Sequence, residues 1–398
     1  MKLLSVDEAR ARILEHAAFL GGESLDLSAA QGRFLARDIR ADRDQPPFAG
    51  SAMDGWALRS ADAPGALKII GESAAGRAFE GALSPGEAVR IFTGAPVPRG
   101  ADTVVIQEDA TREEGRVRVP TAHSGQNVRP AGQDFRAGDL LLARGQRLDP
   151  WRLSLAAAAG QATVSVARRP RVAILSTGEE VVEAGAAPGP YQIFNSGTPA
   201  LAALVAAWGG EPVGLRPVGD DVAATAAAVE DCACDLIITL GGASVGDYDL
   251  VKPAMARLGL TPVVESVAVR PGRPTWFGVL GDGRRVLGLP GNPASALVCA
   301  QLFAWPYLRV MLGADPTLPL RKARTCTALG ANTGREHWMR ARLVWQADGG
   351  LGVEPLRDQD SSLVTIFAAA DALLRRVAGA PEVAIGEVVD VLPLDRMA

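Results

Sequence analysis

Leu236-Ile237-Ile238-Thr239-Leu240-Gly241-Gly242-Ala243-Ser244-Val245-Gly246-Asp247-Tyr248-Asp249 settles how the middle of the chain folds. Five residues of almost pure apolar character are the length of a strand buried on both faces, and the glycines after them turn the chain into a helix predicted over 250–258. Such a turn leaves backbone amides unpaired at a helix N-terminus, which suits phosphate. The same grammar runs outward on both sides. Residues 172–175 form another apolar run, followed by Ser176-Thr177-Gly178-Glu179-Glu180. A helix over 198–208, with Pro199 in its first turn, stops at Gly209-Gly210, and a strand near 213–218 leads through Gly219-Asp220-Asp221 into a helix near 222–230. Downstream come a strand over 263–269, a pair over 275–280 and 285–289, and Pro290-Gly291-Asn292-Pro293-Ala294-Ser295 opening a long helix. This alternation specifies a mostly parallel sheet with helices on both faces.

Each polar loop follows a strand, so all belong at the carboxyl ends, where open parallel sheets bind ligands. Glu180, Asp220, Asp221, Asp247 and Asp249 then crowd one rim, where like charges repel unless a cation bridges them. Hard oxygens without histidine or thiolate point to magnesium, bound partly through substrate phosphates. Against that stands plain helix capping, for which Asp221 before Val222 is well placed. Arg270-Pro271-Gly272-Arg273-Pro274 is a stiff turn presenting two guanidinium forks to an oxyanion or pyrophosphate; alone, it also reads as a solvated turn.

The flanks differ. Ser5 and Glu8 form a capping box that opens a first helix, predicted to end at Gly21-Gly22. Over 48–132, short β-branched runs between Gly, Pro and Asp turns read as a small, mainly β insertion, and a helix over 150–159 resumes the N-terminal character. Beyond Asp315 short strands return, the last being Gly386-Glu387-Val388-Val389-Asp390-Val391. A length of 398 residues sets an initial expectation of two to three domains, and 48% hydrophobic residues with 22% charged exclude a disordered chain. A net charge of −4 argues against a nucleic-acid partner. The apolar stretches 199–208 and 297–312 are too short or too interrupted for a bilayer, and the N-terminus lacks a signal-peptide core, so a cytoplasmic protein without a membrane partner is expected. Cys232 and Cys234 form a C-x-C, and the three histidines lie far apart, so neither zinc nor redox spacing is present. Just four of the 41 basic residues are lysine, a compositional bias.

Several motifs in register resemble the MoeA/gephyrin E-domain family, the molybdopterin molybdenumtransferases. They are Pro47-Phe48-Ala49-Gly50-Ser51-Ala52-Met53-Asp54-Gly55-Trp56-Ala57, Arg90-Ile91-Phe92-Thr93-Gly94-Ala95-Pro96-Val97-Pro98 with Gly100-Ala101-Asp102-Thr103-Val104, and Asn127-Val128-Arg129-Pro130-Ala131-Gly132-Gln133-Asp134. The loops of the α/β region, Leu289-Pro290-Gly291-Asn292-Pro293, Arg340 after Trp338-Met339, and Gln359-Asp360-Ser361 extend the resemblance over nearly the whole chain. It implies a multidomain α/β and β homodimer: a discontinuous helical linker domain (1–47 plus 133–170), an inserted mainly-β domain (48–132), a MogA-like three-layer α/β domain (171–315) and a C-terminal β-barrel (316–398). It implies insertion of molybdate into adenylylated molybdopterin with magnesium-dependent release of AMP, at a site between the α/β domain of one subunit and the inserted domain of the other.

By matching motif, the resemblance makes Asp54, Thr93, Asp134, Glu180, Asp221 and Asp249 the catalytic set, with Glu180, Asp221 and Asp249 on the metal. Arg129, Ser176, Thr177, Gly178, Gly241, Gly242, Ser244, Gly246, Asp247, Pro290, Gly291 and Asn292 bind the nucleotide-like substrate, and Arg270, Arg273, Arg340 and Ser361 form the molybdate side. Three departures from the family pattern cover four positions: arginines for lysines at Arg270 and Arg273, an amide at Gln133 and an acid at Asp371. Transient contact with a molybdopterin adenylyltransferase and with apo-molybdoenzymes also follows from the resemblance. The competing readings are molybdopterin adenylylation, which shares the Gly-Gly-x-Ser loop but explains neither β domain, a tungstate-inserting or non-catalytic pterin-binding paralogue, and a pure scaffold.

Overall fold

The structure is a computed structural model describing residues 3–178, 180–214, 221–241 and 250–394. The run Leu236–Leu240 is a buried strand in the middle of a six-stranded sheet. Across that sheet the order is Glu211–Gly214, Arg171–Ser176, Leu236–Leu240, Arg285–Leu289, Trp276–Val279, Thr261–Val264. The first four strands are parallel and the last two antiparallel. From Arg171–Ser176 the chain steps outward to Glu211–Gly214 and then crosses back to Leu236–Leu240. Connections therefore diverge between the carboxyl ends of those two neighbours, which opens a crevice there. Helices Gly197–Ala207, Val222–Glu230 and Val251–Arg257 follow the strands as the alternation predicts.

Asp235, just ahead of the central strand, fastens this sheet to the preceding segment. Arg168 donates to both its oxygens at 3.0 and 2.8 Å, and the Arg171 amide adds a bond of 2.8 Å. Burial pushes the carboxyl up, but Arg168 and the Arg171 amide outweigh burial and hold it below the usual carboxylate range.

The segment from Arg321 to Pro393 contributes a closed five-stranded barrel: Glu336–Trp345 pairs with Leu351–Pro355 and with Ala372–Arg376, closing the ring through Arg321–Thr325 and Val388–Pro393. Barrel and α/β sheet share one apolar core, in which Trp338, Phe367 and Leu392 pack with Phe277, Leu289 and Val298. Six of the strands within 48–132 form a mixed sheet with its own cores, one around Trp56, Leu58 and Val105 and one around Ile91 and Val104, and Gly50–Ser51 pairs separately with Val128–Arg129.

Four expectations change. The first helix is Val6–Leu14, with the Ser5–Glu8 capping box in place, and it ends well before Gly21. His16 and Leu20 are drawn off by tertiary bonds, Tyr307 Oη donating to the His16 carbonyl and the Leu20 amide to that of Met311. Gly22 instead begins the strand Gly22–Asp26, which pairs with Thr163–Ala167, so the flanking segments carry strands as well as helices. The run 263–269 splits: Thr261–Val264 stays in the α/β sheet, while Val269–Arg270 joins the barrel, parallel to Glu336 and His337. The strand near 213–218 is described as Glu211–Gly214, the rest lying outside the described residues. The helical run Pro293–Met311 is long and apolar enough to cross a membrane, but 83% of it is buried within the protein, as befits a core helix.

Asp235→Ala removes three charge-assisted bonds at a partly exposed ion pair, and is expected to cost about 1–2 kcal/mol after allowance for solvent screening. Because the folded carboxyl is depressed, this contribution is present above the unfolded pKa and lost as pH falls through the folded one. Chemical denaturation of both proteins at neutral and acid pH checks it; an unchanged midpoint at neutral pH contradicts the role.

Candidate functional site

A cleft of about 680 Å³ opens at the carboxyl edge of the parallel strands. Its lining brings together Ser176, Thr177, Gly178, Glu180, Gly241, Pro290, Gly291 and Asn292. Gly178 has φ +126°, and a Cβ there would meet the Glu180 carboxylate at 2.6 Å, so the acid folds over a position that admits no side chain. The amide of Thr177 donates to the Leu240 carbonyl (3.3 Å), and that of Gly241 to the Leu289 carbonyl (3.2 Å), stepping the three loops across adjacent strand ends.

Sequence reasoning missed the centre of this wall. Asn195 is buried, and its Nδ2 lies within 3.3 Å of Ser176 Oγ, 3.1 Å of Glu183 Oε1 and 3.0 Å of Thr198 Oγ1. Its Oδ1 accepts from the Thr198 amide at 3.1 Å, at the start of helix Gly197–Ala207. One side chain thus fixes the first strand, the segment after it and the following helix. A lone asparagine in a loop gives no periodic signal, though its place before a helix N-terminus is one to watch.

Asp221 caps helix Val222–Glu230, Oδ1 accepting from the Ala224 amide at 2.7 Å, which leaves its other oxygen for a ligand. Gly242, Ser244, Gly246, Asp247 and Asp249 lie outside the described residues, as do Glu179 and Asp220. Among the described residues no group of three or more His, Cys, Asp or Glu is set to hold a metal ion. Glu180 lines the cleft and Asp221 does not; the carboxylate of Glu180 fits a hard divalent cation, since the described lining of the cleft holds neither histidine nor cysteine.

The cationic side forms where the barrel meets the α/β unit. Arg270 and Arg273 are exposed on their turn; Arg270 lines a second cavity of about 390 Å³ with His337, Arg357, Gln359 and Arg376. Arg340 lies fully buried behind it. Its Nη2 donates to the Asp360 carbonyl at 2.9 Å, while Nε and Nη1 have no hydrogen-bond partner among the described residues. Ser361 Oγ accepts from Asn292 Nδ2 at 2.8 Å and its carbonyl from the Ala294 amide at 3.2 Å, so the barrel loop is tied to the wall of the cleft. Isolated in the sequence, His337 turns out to be central: burial, then Arg270, Arg340, Arg335 and Arg376, push it down to about 4.

Asp54, Thr93, Arg129 and Asp134 do not line the cleft. Asp54 accepts from the Thr93 amide and hydroxyl, both at 2.8 Å, and these bonds hold its carboxyl below the usual range. Arg129 sits opposite Gly50 on the short strand Val128–Arg129, and the Asp134 amide donates to the Gln45 carbonyl at 2.9 Å.

An open parallel sheet with a polar cleft at its switch point, joined to a closed barrel and a separate β body, defines a multidomain α/β ligand-binding protein. Residues 4–160 match the MoeA N-terminal region (domain I and II), 173–310 a probable molybdopterin binding domain, and 322–394 the MoeA C-terminal region (domain IV). Molybdopterin molybdenumtransferase 2 of Mycobacterium tuberculosis is 38% identical over 93% of this chain and 95% of its own; the Haemophilus influenzae molybdopterin molybdenumtransferase is 32% identical over 99% and 100%. The molybdopterin biosynthesis moeA protein of Pyrococcus horikoshii superposes with a TM-score of 0.86 at 27% identity, over 99% of this chain and 100% of that one. The chain belongs to the molybdopterin molybdenumtransferase family.

The neutral His337 has a stability consequence. Its folded pKa lies near 4 against an ordinary 6.5, so between those values the unfolded chain binds a proton that the folded one does not. Stability therefore falls as pH drops through that window, by about 2–3 kcal/mol from this group. His337→Asn is expected to flatten that part of the profile; denaturation midpoints at pH 7 and pH 4.5 give the difference, and parallel profiles for the two proteins would contradict it.

Proposed function

We propose that this chain is a molybdopterin molybdenumtransferase that inserts molybdate into adenylylated molybdopterin and releases AMP. The observation that carries the reading is the convergence of Ser176–Gly178, Glu180, Gly241 and Pro290–Asn292 in one cleft, with the arginine turn and Ser361 at its barrel side. A strand-end cleft beside a helix N-terminus takes phosphate, and forks with a hydroxyl take a tetrahedral dianion without proton transfer. In this reading Gly242, Ser244, Gly246 and Asp247 complete the nucleotide side, and Arg270, Arg273, Arg340 and Ser361 hold molybdate. The unpartnered Nε and Nη1 of Arg340 support the molybdate side, since a buried cation with idle donors is costly until an anion accepts from them.

Glu180, Asp221 and Asp249 would hold magnesium, which offsets charge at the phosphoanhydride as AMP leaves. Asp54, Thr93, Arg129 and Asp134 would complete the site from a second subunit of a homodimer, with Asp54 kept ionised by Thr93 so that it orients the attacking water. Two features support that arrangement. The inserted β sheet has its own cores and does not reach the cleft of its own chain, and apolar residues stand exposed beside both halves, Phe48 and Met53 near Asp54, Tyr191, Ile193 and Phe194 at the cleft. All four cysteines are free thiols, in keeping with a cytoplasmic enzyme.

Purified protein supplied with adenylylated molybdopterin, magnesium and molybdate should release AMP in proportion to molybdate and reactivate an apo-molybdoenzyme. Absence of molybdate-dependent AMP release rejects the reading; AMP formed without molybdate, or ATP consumed, favours adenylyl chemistry instead. Glu180→Ala should lower turnover by about a hundredfold or more with the dimer and melting temperature retained, because its carboxylate acts on the reacting phosphoanhydride through the metal. Wild-type turnover in that variant removes Glu180 from the mechanism.

A further inference from the structure

The arginine turn does not hold itself in place. The helical run from Pro293 passes beneath it at Cys299, a fully buried residue whose Sγ lies 3.8 Å from the carbonyl oxygens of both Pro271 and Gly272. Gly272 has φ +115°, and a Cβ there would fall 2.0 Å from that sulfur. The backbone between the two arginines therefore rests directly on the thiol. Thr275 Oγ1 donates to the Gly272 carbonyl at 2.7 Å and the Val267 amide to that of Arg273 at 3.0 Å, closing the turn from its sides. Burial pushes the thiol up to about 12, so it stays a neutral donor and filler, not a nucleophile.

The helical run that carries Cys299 is capped by Asn292, which lines the cleft and bonds Ser361. Seven residues of helix span ~10 Å, so one stiff rod sets the spacing between the cleft wall and the arginine forks. We propose that Cys299 is a positioning residue that, through Gly272, sets the placement of Arg270 and Arg273 and thereby the affinity for the tetrahedral oxyanion substrate. The proposal rests on the molybdenumtransferase reading and adds to it a residue that touches neither substrate nor metal.

Three substitutions test it. Cys299→Ser keeps a donor towards both carbonyls and should leave the KM for molybdate within about threefold of wild type. Cys299→Ala removes the support without a clash and should raise that KM about three- to tenfold. Cys299→Val removes the donor and drives a methyl at Gly272, where there is no room, and should raise it tenfold or more, with kcat at saturating molybdate within about threefold. AMP binding in the cleft, measured by calorimetry, should be unchanged in all three. A merely structural role would lower melting temperature, kcat and AMP binding together and would not sort the variants by their KM for molybdate. If Cys299→Val does not fold, Cys299→Ala decides the matter. A wild-type molybdate KM in the folded Ala and Val variants, beside an active wild type, overturns the positioning role alone; a wild type without molybdate-dependent AMP release overturns the transferase reading and this inference with it.

Discussion

Val269 and Arg270 leave the run of the α/β unit to pair with Glu336 and His337 of the barrel, and the placement of positive charge depends on that short ladder. Pairing delivers Arg270 beside His337, and on the other flank of the same barrel strand His337 faces Arg376 and Arg340 faces Leu373. Gathering so many cations is unfavourable in itself. The protein offsets it in three ways: Glu336 takes Arg375 at 2.8 Å, Asp358 and Asp360 lie close to Arg340, and His337 gives up its proton. Neutral His337 lets the arginines approach without adding a further charge. Trp338, fully buried next to it, fixes the strand in the core shared by barrel and sheet, so the ladder cannot slip without exposing a large aromatic surface.

The acids across the site follow a different rule, for three of the described ones already have a local task. Asp221 uses one oxygen to cap a helix, Asp54 is bonded twice by Thr93, and Glu180 lies over Gly178. The bonds at Asp221 and Asp54 orient those carboxylates before any ligand arrives, and at Asp54 they favour the ionised form. Capping and metal binding, alternatives at the level of the sequence, are therefore compatible at Asp221: the cap fixes the rotamer and the second oxygen stays available.

Strand–helix alternation made the parallel sheet legible, because its strands are buried on both faces and read as unbroken apolar runs. The loops Ser176–Gly178, Gly241 and Pro290–Asn292 were legible as one cleft for the same reason, since consecutive parallel strands place their carboxyl ends side by side. Two kinds of feature were not. The run 263–269 is valine-rich on both sides of Glu265-Ser266, so its composition reads as one strand although two sheets divide it there. Asn195 and His337 owe their roles to neighbours distant in sequence, Ser176 and Glu183 for one, Arg270 and Arg376 for the other. A side chain defined by tertiary partners carries no periodic or motif signal of its own.

In the insertion, backbone pairing governs where Asp54 and Thr93 stand. The neck joining residues 48–132 to the linker is zipped by three pairings: Gly22–Asp26 with Thr163–Ala167, Ile39–Arg40 with Leu140–Leu142, and Gln45 with Phe135. Beyond the neck the inserted sheet has separate cores. Asp54 and Thr93 thus answer to the internal register of their own sheet, where Gly55 faces Ile91 and Ile106, while the cleft answers to the α/β sheet. In the proposed homodimer, two rigidly built half-sites with no shared core would be brought together by assembly without either being strained to meet the other. The energetic demand would then fall on the surface between them, and exposed Phe48 and Met53 on one side, with Ile193 and Phe194 on the other, would supply the apolar area such a surface needs.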